Sequence, residues 1–271
     1  MPLPNDHPVD SGGGGGCCWA ASFHTFASLT HAFSLSSKLL DSRKICRYTR
    51  FMAQAVGNNA EKKLIRIDIS SDTVCPWCFV GKRNLDKAVD STKDQYNFEI
   101  RWHPYFLNPS APKEGIGKQE YYEDKFGLQK ERIFSRMTEI FRSLGLEYDT
   151  SGLTGNTMDS HRLIYFAGQQ GLDKQHSLVE ELFLGYFVQG KYIGDREFLL
   201  ECARKVGVEG AAAFLEDLNN GLQEVNEEVK KYSANVTGVP HYVVRDTSIT
   251  LHSKILMGRC SLVVANRQTS S

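Results

Sequence analysis

Cys75 and Cys78 stand in the stretch Leu64 to Arg83, LIRIDISSDTVCPWCFVGKR, with Pro76 and Trp77 between them. Two thiols at that spacing on the first turn of a helix can close to a disulfide with little backbone movement. Their chemistry would run through a thiolate, a mixed disulfide and a second thiol that resolves it. The same spacing is also half of a structural zinc site, which needs four ligands, usually from a second Cys-x-x-Cys or a His pair. No such second pair occurs, since Cys202 and Cys260 stand alone and the eight His are scattered. The redox reading is preferred, and no metal is expected.

The neighbouring elements must hold the pair at a strand-to-helix junction. Ile65, Ile67 and Ile69 alternate with polar residues and predict a β-strand. Ser71-Asp72 is turn and N-cap chemistry leading into a helix. Pro76 suits a first helical turn, where an N–H would have no partner and its φ is already helical. A helix N-terminus places partial positive charge and free N–H groups beside Cys75, which favours a thiolate. Cys75 is therefore expected to attack and Cys78, one turn inward, to resolve.

Phe98 to Trp102 is a second alternating run, so strand, helix and strand form a βαβ unit with parallel strands. After His103-Pro104 the period turns helical. Ile133, Met137, Ile140, Phe141 and Leu144 share one face ahead of Gly145, Asn156 is placed to cap a helix through His161 to Gly171, and Asp195 to cap one through Cys202. Two further helices are expected from Glu209 to Leu218 and from Leu222 to Tyr232. The sheet resumes at Val239-Pro240, a proline at the mouth of a strand behind Gly238 and a β-branched residue, which suits a cis bond beside the Cys-x-x-Cys helix. Ser248 to Leu251 is a hairpin partner for that strand. The class is α/β: an extension over 1–60, a domain over 61–252 with an all-helical insertion at about 113–233, and a divergent tail over 253–271.

Lys+Arg and Asp+Glu both number 32, so nothing points to a nucleic-acid or anionic-membrane partner. Seven unevenly spaced cysteines do not make a secreted disulfide framework. No apolar run approaches the roughly 20 residues that span a bilayer. The N-terminal sixty residues begin with a Gly12 to Gly16 run and continue Ser-rich, with Lys38, Arg43, Lys44, Arg47 and Arg50 against Asp41. That is transit-peptide composition, implying a mitochondrion or chloroplast, and equally a disordered extension ahead of a start at Met52 in a cytoplasmic protein.

Three separated motifs occur in order: Asp72-Thr73-Val74-Cys75-Pro76-Trp77-Cys78-Phe79-Val80-Gly81, Asp159-Ser160-His161-Arg162-Leu163 with Leu182 to Phe187, and Gly238-Val239-Pro240. Together they resemble the DsbA-like thioredoxin family, in its FrnE-type branch, over about residues 64 to 244. The resemblance implies a thioredoxin-like sheet interrupted by the helical subdomain, with Cys75 attacking and Cys78 its partner. It also implies that Pro240 is the cis-proline and that Val239 presents backbone groups to an extended substrate. Related 2-hydroxychromene-2-carboxylate isomerases and kappa-class glutathione transferases generally carry serine where Cys75 stands. The family's closing turn and helix have no counterpart in Arg245 to Ser271.

The expected function is thiol–disulfide oxidoreduction on protein or small-molecule substrates. No bound cofactor is expected; glutathione is the candidate redox partner or co-substrate. The alternatives are a glutathione-dependent isomerase or transferase and a non-catalytic, chaperone-like binding module. Trp77 is read either as an apolar contact for substrate or as packing. His161 is read either as lining the cleft between the two subdomains, binding substrate or assisting proton transfer, or as a structural hydrogen-bonder. Cys202, on an apolar helical face, is expected to be buried and inert.

Overall fold

The computed structural model describes residues 62–245 in full and the backbone of two further strands at 250–256 and 259–265. The transit-like segment and Met52 lie outside the described residues. Strand β1 (Lys63–Ser71) is followed by helix α1 (Pro76–Thr92) and strand β2 (Tyr96–Pro104). β1 and β2 are parallel, with Ile67 beside Ile100 and Ile69 beside Trp102. From Ile67 onward every residue of β1 is buried, the mark of a central strand covered on both faces.

The chain then leaves the sheet for the helices. A two-residue strand β3 (Ile116–Gly117) pairs with β4 (Leu153–Thr154) around α2 (Lys118–Phe126) and α3 (Lys130–Ser143). There follow α4 (Met158–Gln170), α5 (Leu172–Val188), α6 (Arg196–Lys205), α7 (Ala211–Glu216) and α8 (Leu222–Glu228), the last running into a π-helical turn at Val229–Ser233. Asp195 caps α6 by accepting from the Glu197 N–H at 2.9 Å. At α4 the cap position belongs to Thr157, and Asn156 instead accepts from the Met158 N–H at 2.9 Å from one residue outside the cap.

β5 (His241–Arg245) returns to lie antiparallel against β1, with Tyr242 beside Ile69. β6 (Thr250–Leu256) and β7 (Arg259–Ala265) continue the sheet as antiparallel neighbours, giving the order β2-β1-β5-β6-β7. The sheet thus runs past residue 252, where the sequence pattern breaks. Short apolar runs without helix caps, such as Leu262-Val263-Val264, have no need of helical periodicity to pair as a hairpin.

The core that joins sheet and helices is centred on Phe79 of α1. Its ring lies 5.7 Å from that of Phe141, 5.2 Å from Phe183 and 6.0 Å from Phe187. All four side chains are fully or almost fully buried, and each contributes on the order of 1.5–3 kcal/mol by leaving water. The helix that carries the cysteines is therefore clamped to α3 and α5 one residue after Cys78.

Candidate functional site

The turn between β1 and α1 is built by backbone hydrogen bonds. The Cys75 N–H donates to the Asp72 carbonyl at 3.0 Å, and the Cys75 carbonyl accepts from the Cys78 and Phe79 N–H groups at 3.0 and 3.4 Å. Cys75 itself occupies the cap position, and no side chain caps the helix. Asp72, which the sequence places as part of an N-cap, instead turns away and accepts from the Leu107 N–H at 2.7 Å, tying this loop to the exit of β2.

Cys75 lies in the wall of a cleft of about 460 Å³ between the sheet end and helices α2 and α3. It is 5% exposed, and its Sγ lies 3.6 Å from the carbonyl oxygen of Val239. The Val239–Pro240 bond is cis. Val239 faces the cleft, whereas Pro240 is buried and does not line it. Cys78 is fully buried beneath. Burial pushes its thiol well above the ordinary range, and the neighbouring Cys75 sulfur pushes it further; the Ser71 hydroxyl and the Asp72 backbone N–H act in the opposite sense. The two thiols are thus free and inequivalent, one open to the cleft and one held protonated behind it.

Trp77 is half-buried, lines the cleft and lies with its ring 5.9 Å from the Arg136 guanidinium. Opposite are Tyr121, Tyr122 and Phe126 of α2 and Phe134 and Met137 of α3. Tyr122, Tyr148 and Tyr186 form a phenol cluster on the same cleft, where Tyr186 donates to Thr154 Oγ1 at 2.7 Å. Burial raises all three phenols, and the Cys75 sulfur adds to the effect on Tyr122 and Tyr148. Behind the cluster, Lys118 donates to the Tyr186 carbonyl at 2.5 Å with its Nζ 3.9 Å from the Tyr186 ring centre. Burial draws this ammonium down to about 8 against the opposing pull of Asp149.

The structure therefore brings Cys75, Trp77 and Val239 to one cleft, with Cys78 and Pro240 directly behind. His161 is not with them. It is 4% exposed and does not line the cleft; its Nε2 lies behind Asp72, 3.5 Å from Oδ1. The reason is the packing of α4, whose Ser160, His161, Arg162, Leu163 and Ile164 are all buried, leaving no face of that turn open to the cleft. Cys202 is buried, its thiol pushed up by burial to about 12. The phenol cluster, Lys118 and the role of Ser71 escape sequence reading, because they are gathered from four separate segments with no local pattern. Among the described residues no group of three or more His, Cys, Asp or Glu converges as a metal site, and no helix is long and apolar enough to cross a membrane.

A parallel βαβ start, a helical insertion, an antiparallel return behind a cis-proline and two thiols at the first helix describe a thioredoxin-like protein of the helix-inserted type. The chain belongs to the DsbA-like thioredoxin family, whose domain model matches residues 66–262. It is 26% identical over 193 residues to YwbO of Bacillus subtilis (strain 168), covering 68% of this chain and 89% of that one. Among solved structures it resembles a probable DsbA oxidoreductase of Streptomyces coelicolor, at 27% identity and a TM-score of 0.60 over 69% of this chain and 82% of the other. A 2-hydroxychromene-2-carboxylate isomerase shares the fold at 14% identity and a TM-score of 0.51, over 72% and 87% of the two chains.

Proposed function

We propose that this protein is a thiol–disulfide oxidoreductase that works through Cys75 and Cys78. The observation that carries the reading is the inequivalence of the two sulfurs: Cys75 at the cleft wall, Cys78 fully buried one turn inward. In the reducing direction the Cys75 thiolate attacks a substrate disulfide, one substrate thiol leaves, and a mixed disulfide forms. Cys78 then displaces the second substrate thiol and closes the Cys75–Cys78 disulfide. The dithiol supplies both electrons, so the step needs no bound cofactor, and a thiol such as glutathione can regenerate the reduced form.

Substrate contacts follow from the cleft. Val239 lies beside Cys75 with its backbone carbonyl at the reacting sulfur, a placement suited to an extended segment bound by main-chain hydrogen bonds. Trp77 supplies an apolar surface next to the nucleophile. The enclosed, largely aromatic cleft also favours a second reading, a glutathione-dependent isomerase or transferase acting on a small apolar substrate, in which Cys78 would be dispensable.

The deciding measurement is thiol alkylation of the reduced protein across a series of glutathione redox buffers. Cycling of the pair as a two-electron couple supports the oxidoreductase. Full activity of a Cys78→Ser variant toward small substrates would shift the assignment to the second reading.

A further inference from the structure

Cys78 has no contact with water, yet resolving a mixed disulfide on Cys75 requires its proton to leave. The Ser71 hydroxyl approaches its sulfur. Ser71 also lines a second, separate cavity of about 10 Å³, with Thr73, His103 and His161 among its other walls. That volume is at the lower limit, about 10 Å³, for holding one water.

The polar groups facing this cavity are unevenly satisfied. His161 Nε2 is buried without a hydrogen-bond partner; Asp72 Oδ1, 3.5 Å from it but not part of the cavity wall, is also without one. Thr73 Oγ1 lies 2.9 Å from Ser160 Oγ, and Ser160 spends its own proton on the Thr157 carbonyl at 2.8 Å. Thr73 must therefore donate to Ser160, which leaves only its lone pairs for the cavity. Both ring nitrogens of His103 are engaged by Asp68 and Glu228. With its ring proton on Nδ1, His161 offers Nε2 as an acceptor; together with the acceptor at Thr73 and the hydroxyl at Ser71, that makes a set that one water satisfies with three hydrogen bonds.

We infer that this cavity is the site of one ordered water, and that Ser71, the water and His161 carry the Cys78 proton away when the mixed disulfide is resolved. The inference rests on the dithiol reading above. As Cys78 gives its proton to Ser71 Oγ, the Ser71 proton passes to the water and a water proton passes to His161 Nε2. The Cys78 sulfur places its electron pair on Cys75 Sγ, the bond from Cys75 to the substrate sulfur breaks, and the substrate leaves as a thiolate with that bonding pair. Asp72 faces the new imidazolium across 3.5 Å and also lines the main cleft, so the proton can return to the leaving thiolate there. Over both steps the dithiol loses two electrons and the substrate disulfide becomes two thiols. His161 and Asp72 act through other groups and are positioning residues.

The test uses the full reduced chain mixed with dithiobis(nitrobenzoate), quenched in acid at intervals, and reads the mass of the peptic fragment that holds both cysteines. Adduct formation reports attack by Cys75; conversion of adduct to the internal disulfide reports resolution by Cys78. In His161→Gln the adduct should form at the wild-type rate and convert about tenfold to a hundredfold more slowly, the range for loss of a positioned proton acceptor. Its conversion should also become dependent on hydroxide concentration, and Ser71→Ala should show the same pattern. Conversion at the wild-type rate in both variants overturns the relay. So does equal slowing of attack and conversion in both, which is what a purely structural role would produce. Absence of any adduct or conversion in the wild type would instead sink the dithiol reading itself.

Discussion

Gly81 packs directly against Tyr242: a Cβ on Gly81 would collide with the Tyr242 hydroxyl and lie 3.1 Å from Pro240 Cγ. The contact lies where α1 packs against β5, the strand that follows Val239-Pro240. Gly81→Val should force the helix outward at a cost of about 1–3 kcal/mol, the usual range for overpacking. The spacing between Cys75 and Val239 would widen with it. A lower urea midpoint together with faster alkylation of Cys78 is the expected outcome; an unchanged midpoint would mean that the contact relaxes without moving α1.

The asymmetry of the two thiols predicts different fates for their serine variants. Cys78→Ser should accumulate a stable mixed disulfide with substrate or glutathione, whereas Cys75→Ser should form none at that site. Intact-mass measurement after exposure to oxidised glutathione distinguishes them. Equal adduct yields at both positions would contradict the burial of Cys78.

Phe79 is the aromatic hub between α1 and the helical subdomain. Phe79→Ala should cost about 3–5 kcal/mol, as large-to-small changes in a packed aromatic core do. Phe79→Leu should recover much of that loss. Chemical denaturation of the two variants measures the difference.

His103 gives stability a pH dependence. Its Nε2 lies 2.9 Å from Asp68 Oδ1 and its Nδ1 3.4 Å from Glu228 Oε2, with the Tyr232 ring stacked 3.5 Å away. Burial alone would lower its pKa, but the hydrogen bonds and charges of Asp68 and Glu228 outweigh burial and raise it. Asp68, whose burial acts to raise it, is held low by the His103 hydrogen bond and charge and by Arg245 and Arg101. Because His103 is raised in the folded state, its contribution is complete below the unfolded value of about 6.5 and is lost as pH rises through the folded value. Asp68 contributes in the opposite sense, with stability present above about pH 4 and lost in acid. Unfolding free energy should therefore decline above about pH 6.5 in the wild type, and His103→Gln should flatten that decline. An identical slope in the variant would assign the decline to another group.

The strand at Ile65 to Ile69, the helix opening at Pro76, the Asp195 cap and the return at Val239-Pro240 are legible along the chain because each rests on local chemistry. Alternation, a missing N–H, a carboxylate two residues from an N–H and a proline behind a glycine act over a few residues. The order of Cys75 and Cys78 along a helix is of the same kind. Tertiary packing decided the rest. It turned Asp72 from a helix cap into an anchor for Leu107, buried His161 behind it and extended the sheet through β6 and β7. It also gathered Tyr122, Tyr148 and Tyr186 from distant segments onto the cleft that holds Cys75, with Lys118 behind them. Burial, orphaned hydrogen-bonding groups and cavities are properties of what lies across space from a residue, and adjacency in sequence carries no record of them.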